Sequence, residues 1–307
     1  MADEKATALS LTEEEFVYPG NRACAGCGLS VLYRIGLKAI GRDAILVVPP
    51  SCLTVMQGLY PIAATQVSAL NVTFASTAAA ASGVRAALRA RKNDHTRVVA
   101  WAGDGGTADI GIQALSGAIE RGEDFLYICY DNEAYMNTGV QRSGTTPLGA
   151  VTTNTTCGKR QRGKDVPAIV AAHSPAYVAT CSASYPLDFH DKVKKALGIT
   201  GLKYIHIQTP CPPGWGIEER LTIAMGRLAV ETGLYVLYEI EDGAMKLSQP
   251  SARLLKKGLR PVAEYLKPQA RFRALRAEDI ERLQAEVDAR WQMLRQHGPA
   301  RGHGGPS

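Results

Sequence analysis

The sequence predicts an α/β protein whose open, mainly parallel sheet carries helices on both faces. Short runs of β-branched and other apolar residues recur along the chain, and almost every position in them is apolar. Such runs are typical of strands that are buried on both faces. Helical patterns lie between these runs, and regular alternation of strand and helix favours a parallel sheet.

The individual elements follow from these patterns in chain order. The predicted strands are 44–48, 97–103, 125–130, 177–182, 204–208 and 234–240. The predicted helices are 28–40, 75–91, 107–121, 166–173, 186–197, 217–231 and 277–296. The polar stretch 132–165 has little periodicity, and loops of that length in compact domains are usually functional.

The composition excludes several classes of protein. In a chain of 307 residues, 46% hydrophobic and 21% charged side chains are ordinary for a globular protein, which rules out general disorder. No apolar run reaches the roughly 18 residues that span a bilayer, so no membrane association is expected. The acidic, polar segment 1–16 is unlike a signal or transit peptide, which favours a cytoplasmic location.

The net charge of +6 is unevenly distributed along the chain. All of the excess lies in residues 251–307, and the preceding residues are balanced. A basic surface for nucleic acid is therefore not indicated. We expect one domain over 1–250 and a basic C-terminal extension over 251–307. The extension would hold the helix at 277–296 and end in a disordered tail, and it is either a solvated segment or a surface for an acidic partner.

A glycine-rich turn follows the second predicted strand. It contains Gly103, Asp104 and Gly105, and glycines let a backbone approach a ligand closely. The next strand is followed by a turn that contains Asn132. Because consecutive parallel strands end at one edge of a sheet, Asp104 and Asn132 can hold one divalent cation, which in turn binds phosphate oxygens. This pair of turns indicates magnesium-bound thiamine diphosphate, and two ordinary turns are the alternative.

The seven cysteines fall into distinct groups. Four of them lie in Gly- or Pro-rich turns, namely Cys24, Cys27, Cys52 and Cys211. Four thiolates suit an iron–sulfur cluster or a structural zinc ion. Cys129 and Cys181 lie inside apolar strands and are interpreted as core residues. Cys157 is interpreted as a free thiol.

Together these segments resemble one family, the β subunits of the multi-subunit 2-oxoacid:ferredoxin oxidoreductases, above all pyruvate:ferredoxin oxidoreductase (pyruvate synthase). The resemblance covers about residues 15–250 and is carried by GNRACAGCG, PPSCLTVMQGLYP, GDGGTADIGIQALSGAIERGEDFLYICYDNEAYMNTGVQRSGTTP and TPCPPGW. It implies the thiamine diphosphate-binding fold, of the diphosphate-domain type.

The resemblance also implies the roles of individual residues. The ligands of a 4Fe-4S cluster would be Cys24, Cys27, Cys52 and Cys211. The cofactor-binding residues would be Gly103, Asp104, Gly105, Asn132, Ala134 and Asn137. Of these, Asp104, Asn132 and the carbonyl of Ala134 would hold Mg²⁺, and Asn137 would act near the reacting centre.

The family's activity is the oxidative decarboxylation of a 2-oxoacid, with pyruvate as the first expectation. Electrons would pass through the cluster to ferredoxin, and CoA would accept the acyl group from pyruvate. The implied partners are ferredoxin-like γ and δ subunits and an α subunit. The α subunit would carry the thiamine-activating Glu and the part of the site that binds the pyrimidine.

Three alternatives remain open at this point. The first is a sister enzyme that acts on 2-oxoglutarate, oxalate or an aryl pyruvate. The second is an iron-free thiamine decarboxylase or synthase, which the four cysteines argue against. The third is a non-catalytic, zinc-stabilised subunit, which the DNEAYMNTG stretch argues against. The basic segment 159–164 is expected to be a solvated loop or a contact for an acidic partner or for CoA phosphates.

Overall fold

The computed structural model describes residues 5–297, and the predicted disordered tail lies outside them. The strands are β1 (Ala44–Val48), β2 (Ser68–Asn71), β3 (Arg97–Gly103), β4 (Leu126–Asp131), β5 (Tyr177–Ser182), β6 (Lys203–Gln208), β7 (Tyr238–Glu241) and β8 (Ala244–Leu247). They form one sheet in the order β2-β1-β3-β4-β6-β5-β7-β8. The first six strands are parallel, and β7 and β8 add an antiparallel hairpin beside β5. The predicted open, mainly parallel sheet is confirmed.

The helices account for most of the remaining chain. They are α1 (Gly28–Ile40), α2 (Cys52–Gln57), α3 (Thr77–Ala90), α4 (Ile112–Glu120), α5 (Val166–Ala171), α6 (Pro186–Leu197), α7 (Pro212–Trp215), α8 (Thr222–Glu231), α9 (Gln249–Lys257), α10 (Val262–Leu266) and α11 (Ala277–His297). A π-helix covers Gly105–Ile110, and 3₁₀ turns cover Glu219–Leu221 and Ala270–Phe272. Of the helices in the described part of the chain, none has the length and apolar character to cross a membrane.

Helices cover both faces of the sheet because successive strand residues point to opposite sides. On one face, Trp101 of β3 packs against Phe189 of α6 with ring centroids 6.4 Å apart, in a core shared with α1. On the other face, Tyr127 of β4 belongs to a second buried core together with Leu115 of α4. Burial on both sides explains why these strands are almost continuously apolar.

A third buried core joins the C-terminal helices to the rest of the fold. Trp215 of α7, Leu254 of α9 and Trp291 of α11 belong to it. Trp291 also donates a hydrogen bond from Nε1 to the carbonyl of Gly233 at 3.0 Å. These contacts connect residues on both sides of position 250, and the proposed domain boundary at that position stays a prediction.

Three predicted elements differ from the structure. The predicted helix 217–231 begins later, since a 3₁₀ turn over Glu219–Leu221 precedes α8. The run 234–240 is predicted as a strand buried in the parallel sheet, whereas β7 begins at Tyr238, is antiparallel to β5 and is partly exposed. β7 belongs to the antiparallel hairpin at the edge of the sheet, where a strand need not be buried on both faces. The predicted helix 107–121 begins earlier, as the π-helix. Gly111 lies between the π-helix and α4, and this position requires glycine because a Cβ atom there would lie 2.1 Å from the carbonyl oxygen of Gly106.

Candidate active site

Four neighbouring strands end at the same edge of the sheet and place the predicted site residues there. Cys52 follows β1, Asp104 follows β3, Asn132 follows β4 and Cys211 follows β6, and these strands are adjacent in the order β1-β3-β4-β6. In the sheet, β2 lies on one side of β1 and β3 lies on the other, so the strand order reverses between β1 and β3. Ligands of open parallel sheets bind at the carboxyl ends of strands at such a point.

A cavity of about 270 Å³ lies at this edge. The predicted cofactor residues all line it, namely Gly103, Asp104, Gly105, Asn132, Ala134 and Asn137. Cys52 and Phe74 also contribute to its wall. The structure therefore brings together every residue that the sequence assigns to the cofactor, although the roles of these residues stay predictions.

Position 105 requires glycine because an aromatic ring packs directly against it in the cavity wall. A Cβ atom at this position would lie 2.3 Å from Cε1 of Tyr135. The ring itself is fixed because its hydroxyl donates a hydrogen bond to Oδ2 of Asp109 at 2.8 Å. A larger residue than glycine would displace Tyr135 from the wall of the cavity.

The carboxylate of Asp104, the side-chain amide of Asn132 and the carbonyl of Ala134 converge at the cavity. One terminal atom of the Asn132 amide lies 3.1 Å from Oδ1 of Asp104 and 2.9 Å from the carbonyl oxygen of Ala134. If that atom is nitrogen, it donates to both; if it is oxygen, three oxygens face one another and require a cation between them. Adjacent oxygen ligands of an octahedral Mg²⁺ are about 3 Å apart, given Mg–O distances of about 2.0–2.1 Å. These three residues therefore fit a bound Mg²⁺.

The Asp104 carboxylate is buried beside a second carboxylate. Burial, followed by the charge of Asp131, raises the pKa of Asp104 well above its usual value. Oγ1 of Thr145 lies 2.9 Å from Oδ2 of Asp104 and 2.9 Å from Oδ1 of Asp131, so it bridges the two acids. A cation at Oδ1 of Asp104 would favour the ionised carboxylate that burial disfavours.

Sequence reasoning misses the hydrogen-bonded chain behind these acids. Nε2 of His206 lies 3.0 Å from Oδ2 of Asp131, and Nδ1 of His206 lies 2.8 Å from the hydroxyl of Tyr204. Thr145 comes from the long loop 132–165, which is therefore part of the site. The only available signal was the spacing of Tyr204 and His206, which places both on one face of β6.

The four cysteines assigned to a cluster lie close to one another. Burial and the neighbouring thiols of Cys211, Cys27 and Cys24 together raise the pKa of the Cys52 thiol to about 12. The turn before α1 reaches the turn after β6, since a Cβ atom at Gly28 would lie 3.0 Å from the carbonyl oxygen of Pro210. As thiolates these side chains would repel one another, and an iron core would oppose that repulsion. The donor set therefore fits a cluster.

This cysteine group differs from the site of a single metal ion. Among residues 5–297, no three His, Cys, Asp or Glu side chains are arranged to hold one ion. Zinc holds thiolates at about 2.3 Å, which requires a tight group. The choice between a zinc ion and a 4Fe-4S cluster therefore stays a prediction.

The three remaining cysteines lie outside this group. Cys129 and Cys181 are fully buried in the two cores that flank the sheet, as predicted. Cys157 is an exposed free cysteine and lines a second cavity together with Arg160.

The basic segment 159–164 is mostly exposed, as expected of a solvated loop, but its first residue is buried. Lys159 is buried, and its Nζ donates to the carbonyl oxygens of Gly144 at 3.0 Å and Thr146 at 2.5 Å. Nζ of Lys164 lies 2.7 Å from Oδ1 of Asp109. These lysines hold the loop that carries Thr145, because their ammonium groups satisfy its carbonyls and a neighbouring carboxylate.

Comparisons with known proteins identify the class to which this chain belongs. Residues 52–207 match the family described as thiamine pyrophosphate enzyme, C-terminal TPP binding domain. This range contains Cys52, Asp104 and Asn132, and the class is therefore that of the thiamine pyrophosphate enzymes.

Two named relatives define the class more closely. The chain is 50% identical to pyruvate synthase subunit PorB of Methanothermobacter marburgensis over 293 residues, which covers 94% of this chain and 100% of the relative. It is 48% identical to ketoisovalerate oxidoreductase subunit VorB of Pyrococcus abyssi over 297 residues, covering 94% of each chain. The chain belongs to this family of subunits, the β subunits of 2-oxoacid:ferredoxin oxidoreductases.

One solved structure supports the fold. A 2-oxoglutarate:ferredoxin oxidoreductase from Magnetococcus marinus, with 2-oxoglutarate, coenzyme A and succinyl-CoA bound, is similar with a TM-score of 0.57. The match covers 66% of this chain and 70% of that one at 20% sequence identity. At this identity the similarity concerns the fold alone.

Proposed function

We propose that this chain is the subunit of a 2-oxoacid:ferredoxin oxidoreductase that holds the diphosphate end of thiamine diphosphate through Mg²⁺. The observation that supports the proposal is the convergence of the Asp104 carboxylate, the Asn132 side-chain amide and the Ala134 carbonyl in the wall of one cavity. Two ordinary turns would not need a buried carboxylate beside a second acid. When bound, thiamine diphosphate supplies a carbon nucleophile and an electron sink for decarboxylation.

The chain's own residues would each perform a limited task in this site. Asp104 would hold the cation through Oδ1, while Thr145 holds the opposite oxygen, Oδ2, at 2.9 Å. Gly105 leaves space for Tyr135 in the wall. Asn137, which is exposed at the cavity, would act near the reacting carbon.

We further propose that Cys24, Cys27, Cys52 and Cys211 hold a 4Fe-4S cluster that passes electrons to ferredoxin. Cys52 supports this assignment because it lies both in the cavity wall and in the thiol group. Cluster and cofactor would then be neighbours, as single-electron transfer requires.

Pyruvate is the proposed substrate, with CoA as the acyl acceptor. A sister enzyme for another 2-oxoacid is the second candidate, since the relative named for ketoisovalerate is 48% identical and the one named for pyruvate is 50% identical. Two percentage points do not separate these substrates. The proposed partners are the α subunit and the ferredoxin-like γ and δ subunits of one complex.

The cofactor proposal is tested with the assembled complex and an Asp104→Asn variant. The variant keeps the shape of the side chain and removes a buried charge, so the fold should persist while Mg²⁺-dependent binding of thiamine diphosphate is lost. Calorimetric titration with thiamine diphosphate, with and without Mg²⁺, measures this. Full binding by the variant would place the cation elsewhere.

The cluster proposal is tested by purifying this chain alone under anaerobic conditions and measuring its visible absorption and iron content. We expect visible absorption that bleaches with dithionite in the unaltered protein and its loss in Cys211→Ser. Cys129→Ser is the matched control, because this residue is a core cysteine and should keep the colour. Iron retained without Cys211, or zinc in a colourless protein, would contradict the assignment.

A further inference from the structure

A buried tryptophan and a buried arginine lie directly behind the turn that is proposed to hold Mg²⁺. Trp215 of α7 is 0% exposed, and Arg271 of the 3₁₀ turn Ala270–Phe272 is 4% exposed. Trp215 donates a hydrogen bond from Nε1 to the backbone carbonyl of Asn132 at 2.9 Å. Neither residue lies in the range 52–207 that matches the thiamine pyrophosphate enzymes. The turn is therefore held by chain segments outside the matched domain.

All three nitrogens of the Arg271 guanidinium have a partner. Nε donates to Oε1 of Gln269 at 2.9 Å, and Nη2 donates to the hydroxyl of Tyr265 at 3.2 Å. Nη1 lies 2.5 Å from Oε2 of Glu133 in an ion pair. Because a guanidinium is planar and its donors are fixed relative to one another, three partners define its orientation. Arg271 therefore holds the Glu133 carboxylate in one place.

The same guanidinium also stacks on the indole ring of Trp215. Cζ of Arg271 lies 3.8 Å from the ring centroid. A cation over a tryptophan ring is attracted most strongly where water is excluded, and both of these side chains are buried. The backbone amide of Trp215 donates to the carbonyl of Cys211 at 2.8 Å, so the ring is held at its backbone as well as at its face. These contacts fix the indole with its N–H toward the carbonyl of Asn132.

The turn depends on such contacts because its backbone adopts a rare conformation. Glu133 has a φ of +68°, in the left-handed region that residues other than glycine seldom adopt. Its two neighbours in the chain, Asn132 and Ala134, are the proposed cation ligands. A conformation of this kind persists only where the surrounding structure imposes it. Loss of the contact from Trp215 or Arg271 would let the turn relax and move the Ala134 carbonyl away from the Asn132 side chain.

We propose that Trp215 and Arg271 are positioning residues for the cation site. They hold residues 132–134 in the conformation in which Asn132 and Ala134 can bind one Mg²⁺. Trp215 acts through a backbone carbonyl and Arg271 acts through the Glu133 side chain, so neither would touch the cation. The C-terminal extension, which supplies Arg271, thereby takes part in cofactor binding. This inference rests on the proposed function, which treats the turn as a Mg²⁺ site.

Trp215→Phe tests the hydrogen bond, because it removes the indole N–H and keeps an aromatic ring. The measurement is the Mg²⁺ concentration that half-saturates binding of thiamine diphosphate to the assembled complex. We expect this concentration to rise about tenfold, the lower end of the losses seen when a group that orients a metal ligand is removed.

Trp291→Phe is the matched control. Trp291 is also 0% exposed, belongs to the same buried core as Trp215, and donates from Nε1 to the carbonyl of Gly233 at 3.0 Å. The two variants should lower the thermal unfolding midpoint by similar amounts, and only Trp215→Phe should change the Mg²⁺ requirement.

Arg271→Lys tests the guanidinium. It keeps the charge that Glu133 faces and removes the planar group that binds three partners at once. Arg271→Met would leave a buried carboxylate without its partner and could unfold the chain, so the lysine variant is preferred. We expect about a tenfold rise in the Mg²⁺ requirement here as well. Adding Trp215→Phe should raise it little further, because both residues act on one turn.

The outcomes separate this inference from the proposed function. An unchanged Mg²⁺ requirement in Trp215→Phe, or an equal change in Trp291→Phe, would refute the positioning role. Losses that multiply in the double variant would show that Trp215 and Arg271 do not act together. An unaltered complex that binds thiamine diphosphate without Mg²⁺, or not at all, would instead refute the cofactor proposal. If Asp104→Asn abolishes binding while both positioning variants behave normally, only this inference fails.

Discussion

Replacing Thr145 by Val removes one hydroxyl and keeps the volume of the side chain. That hydroxyl oxygen lies 2.9 Å from Oδ2 of Asp104 and 2.9 Å from Oδ1 of Asp131. A hydroxyl has one proton, and Asp131 already accepts hydrogen bonds from the Glu133 amide at 2.8 Å and faces His206 at 3.0 Å. Thr145 therefore donates its hydrogen bond to Asp104. This bond fixes the carboxylate with Oδ1 toward the cavity.

The magnitude follows from the type of bond that is lost. A hydrogen bond to a charged group contributes about 1.5–3 kcal/mol. Because about 1.4 kcal/mol corresponds to a tenfold change in an equilibrium constant, Mg²⁺ affinity should fall about 10–100-fold in Thr145→Val. Losses of the same order are typical when the group that orients a metal ligand is removed.

The assay measures the Mg²⁺ concentration that half-saturates binding of thiamine diphosphate to the assembled complex. Thr145→Ser keeps the hydroxyl and should restore most of the affinity. Thr232→Val is the control for loss of a buried threonine hydroxyl, since Thr232 donates only to helix carbonyls, that of Leu228 at 2.7 Å and that of Ala229 at 3.4 Å. Unchanged affinity in Thr145→Val, or an equal defect in Thr145→Ser, would refute the positioning argument.

Two further predictions concern the loop and the ionisation of its lysine. Asn137→Ala should lower kcat of the reconstituted complex more than it weakens cofactor binding, because an interaction made mainly in the transition state affects the rate; weak binding with normal kcat at saturating cofactor would contradict this role. Burial, with a smaller effect of Arg142, lowers the pKa of Lys159 from 10.5 to about 8. Between these values the unfolded chain binds more protons than the folded one, so this lysine makes the free energy of unfolding rise with pH across that window. Denaturant titrations at several pH values should show that the free energy of unfolding rises less with pH in Lys159→Met than in the unaltered protein. Equal slopes in the two proteins would contradict this prediction.

The sequence predicted the central sheet well because both of its faces are buried. Strands such as β1 and β4 are apolar at nearly every position, and this pattern can be recognised without knowing which strands are their neighbours. The pattern fails where burial is partial. β2 is fully exposed and β8 lies at the opposite edge, so neither carries the continuous apolar run on which the prediction depends.

The candidate site divides in a similar way. Asp104 and Asn132 were predictable because each directly follows a strand, and parallel strands bring their carboxyl ends to one edge. Local sequence also identified the four cysteines through their Gly- and Pro-rich turns. The order of strands and turns along the chain determines where these residues lie, and that order can be predicted from the sequence.

Only the tertiary structure brings Thr145 and His206 to the same two carboxylates. Thr145 lies in a loop without periodicity, and His206 lies in a strand in which a buried histidine is ordinary. The contacts at 2.9 and 3.0 Å arise because β6 pairs with β4 and the loop folds back over β3, held by Lys159. The sequence alone therefore determined the fold class and the residues at the ends of strands. The orientation of those residues was decided by contacts between distant segments, because no local pattern encodes which buried polar groups will meet.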